Sequence, residues 1–140
     1  MMALGVDLGG TKIEAQVFAD DWHLHERRRV ATPASYPALV DALVDLVGWA
    51  DGLAGGPVSV GIGAAGMVNP RDGRVLAANL AAHDKPLPAD LAAVLGRPVR
   101  YLNDSHALAL SEAVFGAGQP FASVFALVLG TGVGGGHVRC

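Results

Sequence analysis

The stretch Ala3-Leu4-Gly5-Val6-Asp7-Leu8-Gly9-Gly10-Thr11-Lys12-Ile13-Glu14-Ala15-Gln16-Val17-Phe18 sets the fold class. Ala3 to Leu8 reads as a buried strand, and Lys12 to Ala19 alternates loosely as a second. Gly9-Gly10-Thr11 between them reads as a tight hairpin turn. Trp22 to Val30 reads as a third, edge-like strand after an Asp20-Asp21 turn. Its Arg27-Arg28-Arg29 run reads as a solvated surface.

From there the pattern changes. Ser35 offers an N-cap and Pro37 sits in the first turn of a helix. Leu39, Val40, Leu43, Val44, Leu46, Val47 and Ala50 follow at helical spacing, and Gly52 to Pro57 is expected to end it. Val58 to Ile62 predicts a short buried strand. Gly63 to Pro86 reads as irregular, with turn signals at Asn69-Pro70 and Asp72-Gly73. Leu87 to Leu95 predicts a short helix closed by Gly96 and Pro98. Val99 to Leu102 predicts a strand, Asp104 to Phe115 a helix stopped by Gly116, and Val124 to Leu129 a buried strand. Gly130-Thr131-Gly132 then turns into another strand at Val133. Three strands in a meander followed by strands alternating with helices suit an α/β fold, a mixed sheet with helices on its faces.

Bulk composition narrows the function class. The 140 residues are 51% hydrophobic and 16% charged, which is globular rather than disordered. Net charge is −3 with no basic stripe, so no nucleic-acid partner is expected. The only cysteine is Cys140, which excludes an internal disulfide and suits a reducing cytoplasm. No apolar run is long enough to span a bilayer, so no membrane partner is expected.

Two glycine turns, Asp7-Leu8-Gly9-Gly10-Thr11 and Leu129-Gly130-Thr131-Gly132, share one pattern of strand, turn, strand. Glycines let backbone N–H groups approach a phosphate without a Cβ in the way. Asp7 beside the first turn suits Mg²⁺ held through a water, because Mg²⁺ favours carboxylate, phosphate and water together. Each turn taken alone is equally well a plain hairpin. Gly61-x-Gly63-x-x-Gly66 and Gly130-x-Gly132-x-x-Gly135 match the dinucleotide fingerprint, but no helix signal follows either. Asn103-Asp104 marks a strand-to-helix junction. Locally a helix cap is the stronger reading; a general base at the edge of the sheet is the alternative.

The ordered set Asp7-Leu8-Gly9-Gly10-Thr11-Lys12, Gly61-Ile62-Gly63-Ala64-Ala65-Gly66, Asn79-Leu80, Leu102-Asn103-Asp104 and Leu129-Gly130-Thr131-Gly132-Val133-Gly134-Gly135-Gly136 resembles the ROK family of sugar kinases. Ser59-Val60-Gly61-Ile62-Gly63, Ala77-Ala78-Asn79, Lys85-Pro86-Leu87, Ala89-Asp90-Leu91 and Ala109-Leu110-Ser111-Glu112-Ala113 are similar to the members that phosphorylate N-acetylglucosamine. Glucokinase and fructokinase members share the main motifs.

The resemblance implies an actin-like (ribonuclease H-like) ATPase fold, with an N-terminal lobe over residues 1–121 and the start of a second lobe over 122–140. It implies transfer of the ATP γ-phosphate to the 6-hydroxyl of N-acetylglucosamine or a related hexose. Asp104 would be the base, Asn103 and Asn79 would hold sugar hydroxyls, and Gly63 and Gly66 would line the sugar pocket. Gly9, Gly10, Thr11 and Lys12 would form one phosphate loop, and Gly130, Thr131, Gly132 and Gly134 the other. ATP and Mg²⁺ are the implied cofactors. The second lobe, with its zinc site and adenine pocket, is not in this sequence, so the chain alone is expected to be inactive and to self-associate. A family repressor is disfavoured because no helix-turn-helix precedes Asp7; a sugar- or phosphate-binding remnant is the other alternative. Two departures stand out: Ala65 where the family usually has proline, and Asn103-Asp104-Ser105-His106 at the base.

Overall fold

The computed structural model describes residues 1–130 and 132–140, and Thr131 lies outside the described residues. Its elements are β1 (Ala3–Leu8), β2 (Lys12–Phe18), β3 (Leu24–Ala31), α1 (Tyr36–Ala54), β4 (Ser59–Ala64), β5 (Met67–Val68), β6 (Val75–Leu76), α2 (Leu87–Leu95), β7 (Val99–Asn103), α3 (Asp104–Phe115), β8 (Ser123–Leu129) and β9 (Val133–Arg139). The chain divides into two compact units, Met1–Tyr101 and Leu102–Cys140.

The first unit holds a mixed sheet of order β3-β2-β1-β4-β7. β1 runs antiparallel to β2 and parallel to β4. Alternation decides which face is buried. Leu4, Val6 and Leu8 of β1, Ile13, Ala15 and Val17 of β2, and Val60, Ile62 and Ala64 of β4 all enter one core. Leu39, Leu43, Leu46, Val47 and Ala50 of α1 and Leu87 and Leu91 of α2 join it. The opposite face carries Gly5, Asp7, Glu14, Gln16, Gly61 and Gly63, and is only partly covered.

β3 is an edge strand, and its charges keep that edge from pairing with another chain. Arg29 is ion-paired with Glu14 on β2, and the Arg28 guanidinium lies 4.7 Å over the Trp49 ring. Trp22 belongs to the preceding turn rather than to the strand. Its φ is 65°, its N–H donates to the Ala19 carbonyl at 2.9 Å, and β3 begins at Leu24.

Ser35 caps α1 as its sequence suggests, with Pro37 in the first turn. The helix ends inside the expected Gly52–Pro57 stretch; Gly52 itself is tolerated within it, because a single interior glycine costs only about 1 kcal/mol. It runs to Ala54 and ends at Gly55, whose φ of 69° supplies the left-handed cap. Asp51 ties this end down. Its carboxylate accepts from Val58 N–H at 2.9 Å and from Arg97 Nη2 at 2.8 Å through both oxygens.

Within 63–86 the structure adds a small hairpin, β5 with β6. Asn69-Pro70 and Asp72-Gly73 do form its turn, and Gly73 has a φ of 72°. Two-residue strands are too short to leave a periodic signal.

The second unit is α3 packed on the β8–β9 hairpin. The glycines of β9 explain how. A Cβ on Gly136 would lie 2.3 Å from the Ser105 carbonyl oxygen, and one on Gly134 would lie 3.1 Å from Ser105 Oγ. The first turn of α3 therefore sits directly on bare strand backbone. Gly135 points the other way, where a Cβ would meet the Phe125 ring at 2.7 Å. Among the described residues, no helix is long and apolar enough to cross a membrane.

Candidate active site

In the first unit the expected site residues gather where β1 and β4 end side by side. Asp7 is paired in register with Gly63 on one flank and Glu14 on the other. Asp7 is exposed, because its neighbours Val6 and Leu8 take the core positions. The Arg29 guanidinium beside Glu14 holds that carboxyl below its usual range, so the negative charge next to Asp7 is matched. Among the described residues, no three His, Cys, Asp or Glu side chains cluster as a direct metal cage.

The turn after β1 is closed by Gly9 N–H donating to the Lys12 carbonyl at 3.0 Å. Gly10 sits at its tip, against Asn79; a Cβ on Gly10 would come within 3.0 Å of the Asn79 carbonyl oxygen. The loop after β4 is packed as closely. Gly66 has a φ of 87°, and a Cβ there would lie 2.1 Å from the Leu76 carbonyl oxygen and 2.8 Å from Ala77 Cβ. Ala77 N–H in turn donates to His83 Nδ1 at 3.4 Å. The 76–79 segment thus touches the Gly63–Gly66 loop at one end and the Gly9–Gly10 turn at the other. Asn79 is exposed there. Lys12 is also exposed, opening β2 opposite Ala31 of β3.

Thr32 is a residue that sequence reasoning missed. Its hydroxyl donates to the Gly9 carbonyl at 2.7 Å, and its N–H donates to the Thr11 carbonyl at 3.0 Å. A threonine past a strand end carries no motif, so only the register could find it.

In the second unit, Asn103 and Asp104 stand at the start of α3. Asn103 is the N-cap, with Oδ1 accepting from Ser105 N–H at 3.0 Å. Asp104 occupies the first helical position, exposed, with Oδ1 accepting from the same N–H at 2.8 Å. A carboxylate at a helix N-terminus also lies against the unsatisfied N–H groups of the first turn. Gly130 and Gly132 form the β8–β9 turn, with Gly130 N–H donating to the Gly132 carbonyl at 2.9 Å. A Cβ on either would meet nothing within 4 Å, so that backbone is open. Gly134 differs, since the first turn of α3 fills the space above it. Thr131, expected in this loop, lies outside the described residues.

These features can be set against known proteins. The ROK family profile matches residues 3–139. The chain belongs to the ROK family. N-acetyl-D-glucosamine kinase of Salmonella heidelberg (strain SL476) is 50% identical over 139 residues, which is 98% of this chain and 46% of that protein. The ROK family glucokinase of Streptomyces griseus, solved in complex with glucose and AMPPNP, superposes with a TM-score of 0.82 at 39% identity, over 99% of this chain and 45% of that one. The ROK hexokinase of Thermus thermophilus gives 0.87 at 36% identity, over 99% of this chain and 47% of its own. The fold is therefore the actin-like ATPase fold of ROK sugar kinases, and the chain spans about half the length of the curated relatives it matches.

Proposed function

We propose that this chain carries the sugar- and phosphate-binding part of a kinase that moves the γ-phosphate of ATP to the 6-hydroxyl of N-acetylglucosamine. The observation that carries this is the 50% identity to an N-acetylglucosamine kinase along 98% of the chain. Glucose is the second sugar to consider, since the Streptomyces griseus neighbour was solved with it.

In this reading the Asp104 carboxylate accepts the proton of the sugar 6-hydroxyl. The freed oxygen bonds to the γ-phosphorus, the bond from that phosphorus to the β–γ bridging oxygen breaks, and ADP leaves. Asn79 and Asn103 hold sugar hydroxyls, and the Gly63–Gly66 loop lines the pocket. Gly9, Gly10, Thr11 and Lys12 receive phosphate oxygens, as do Gly130, Thr131, Gly132 and Gly134. The fit for a phosphate rests on chemistry: consecutive glycines let the turn's backbone N–H groups approach an anion with no Cβ in the way. Mg²⁺, held by Asp7 through water, would neutralise charge on the phosphates.

The lobe boundary after residue 121, a cytoplasmic setting, and inactivity of the isolated chain are parts of the same proposal. So is self-association. Phe125, Leu127 and Leu129 of β8 and Val133 of β9 are 66%, 56%, 72% and 77% exposed, an apolar face that water does not favour. A monomer by light scattering at high concentration would remove that part.

The test exchanges this chain for the corresponding half of the Salmonella kinase and follows ADP release with N-acetylglucosamine, N-acetylmannosamine, glucose and fructose. Activity with N-acetylglucosamine is expected to exceed the others, and Asp104→Asn is expected to lower kcat by about 10³-fold. An Asn variant with undiminished kcat would end the assignment of the base.

A further inference from the structure

We infer that Thr32 is a positioning residue that aims the first glycine turn at its ligand, an inference that rests on the phosphate-binding reading above. Thr32 follows β3 directly and is half-buried. It reaches the turn twice, by its hydroxyl to the Gly9 carbonyl at 2.7 Å and by its N–H to the Thr11 carbonyl at 3.0 Å. One residue thus anchors the backbone on both sides of Gly10.

The direction of these bonds matters. The Gly9–Gly10 peptide is planar and trans, so its C=O and N–H point in opposite directions. Holding the Gly9 carbonyl on the Thr32 hydroxyl sends the Gly10 N–H away from Thr32. A Gly-Gly peptide has the least intrinsic preference of any, and left alone it samples many orientations. The turn is also backed by Asn79, which a Cβ on Gly10 would meet at 3.0 Å. The Thr32 bonds and the Asn79 contact together leave the Gly10 donor fixed before a ligand arrives. Preorganisation of this kind improves affinity by removing an ordering cost from the binding step.

The test compares the wild-type chain with Thr32→Val and Thr32→Ser by amide NMR during a titration with Mg·ATP. Valine keeps the shape and the backbone N–H bond to Thr11 but loses the hydroxyl; serine restores it. In the wild type the Gly10 amide is expected to shift on titration. Valine should weaken the apparent Kd at Gly10 about tenfold, one hydrogen bond's worth, and serine should recover it. Amides of β1 and β4 should match the wild type in both variants, which controls for loss of fold. An unchanged Kd in Thr32→Val, with a responsive wild type, overturns the role of Thr32 and leaves phosphate binding standing. No response at Gly10 in the wild type overturns the phosphate reading. The ligand-free Gly10 shift and exchange rate in Thr32→Val then show whether the hydroxyl holds the peptide at all.

Discussion

Gly10 lies against the backbone of Asn79, so that a Cβ at residue 10 would come within 3.0 Å of the Asn79 carbonyl oxygen. The two residues are far apart in sequence, and the contact joins the turn after β1 to the segment after β6. Gly10→Ala should push that segment by a few tenths of an ångström. The expected loss is about 1–2 kcal/mol of stability, in the range of mild overpacking. Gly61→Ala is the matched control, since a Cβ there meets nothing within 4 Å, and it should be neutral or slightly stabilising. Urea unfolding of both variants decides this, and equal midpoints would refute the contact.

Gly66 is the more demanding position. Its φ is 87° and a Cβ would lie 2.1 Å from the Leu76 carbonyl oxygen. Backbone strain and a clash with main chain add, and main chain cannot rotate out of the way. Gly66→Ala should cost about 3 kcal/mol or more. Chemical denaturation would show it as a large fall in midpoint. If the variant unfolds outright, its expression only as insoluble material supports the same conclusion; a near-wild-type midpoint contradicts it.

Much of this was legible in the sequence, for reasons specific to each element. β1, α2 and α3 begin and end where Ala3–Leu8, Leu87–Leu95 and Asp104–Phe115 predict, because apolar spacing and the glycine stops agree. α1 ends inside the expected Gly52–Pro57 stretch, at Gly55, the residue there that takes a positive φ. The β5–β6 hairpin was hidden because pairing, not periodicity, defines strands of two residues. Glycine turns and Asn103-Asp104 were visible as motifs. That Gly10 touches Asn79, that Gly66 touches Leu76, and that Thr32 holds Gly9 were not, because sheet register sets those contacts between distant residues.

The glycine run of β9 gives a third prediction. Gly136 leaves room for the first turn of α3, and a Cβ would lie 2.3 Å from the Ser105 carbonyl oxygen and 2.6 Å from His106 N. Gly136→Ala should therefore loosen α3 from the hairpin, at a cost of about 2 kcal/mol. Hydrogen exchange of the α3 amides reads this directly, and exchange in β1 should not change. Gly132→Ala, at an open position, should leave α3 protected. Equal protection of α3 in both variants would show that the packing tolerates a side chain at 136.

A fourth prediction concerns pH. The Tyr36 hydroxyl donates to Asp90 Oδ2 at 2.5 Å, linking the start of α1 to α2, while Lys85 Nζ lies 5.9 Å from the ring centre. Burial raises the phenol's pKa well above its ordinary value of 10, and the hydrogen bond and negative charge of Asp90 add to that. The folded state thus prefers the neutral phenol. Its contribution is fully present below the unfolded-state value near 10 and is lost as pH rises beyond it, because the unfolded chain ionises first. Tyr36→Phe keeps the ring under Lys85 but removes the hydroxyl, and should cost about 1 kcal/mol at neutral pH. That difference should hold from pH 7 to about 9.5 and shrink above 10, where only the wild type gains from unfolding. The phenolate absorbance of wild type minus variant should still be rising above pH 11. A difference titration with its midpoint at 10, or a variant as stable as the wild type at pH 7, would show that Asp90 does not hold the phenol in solution.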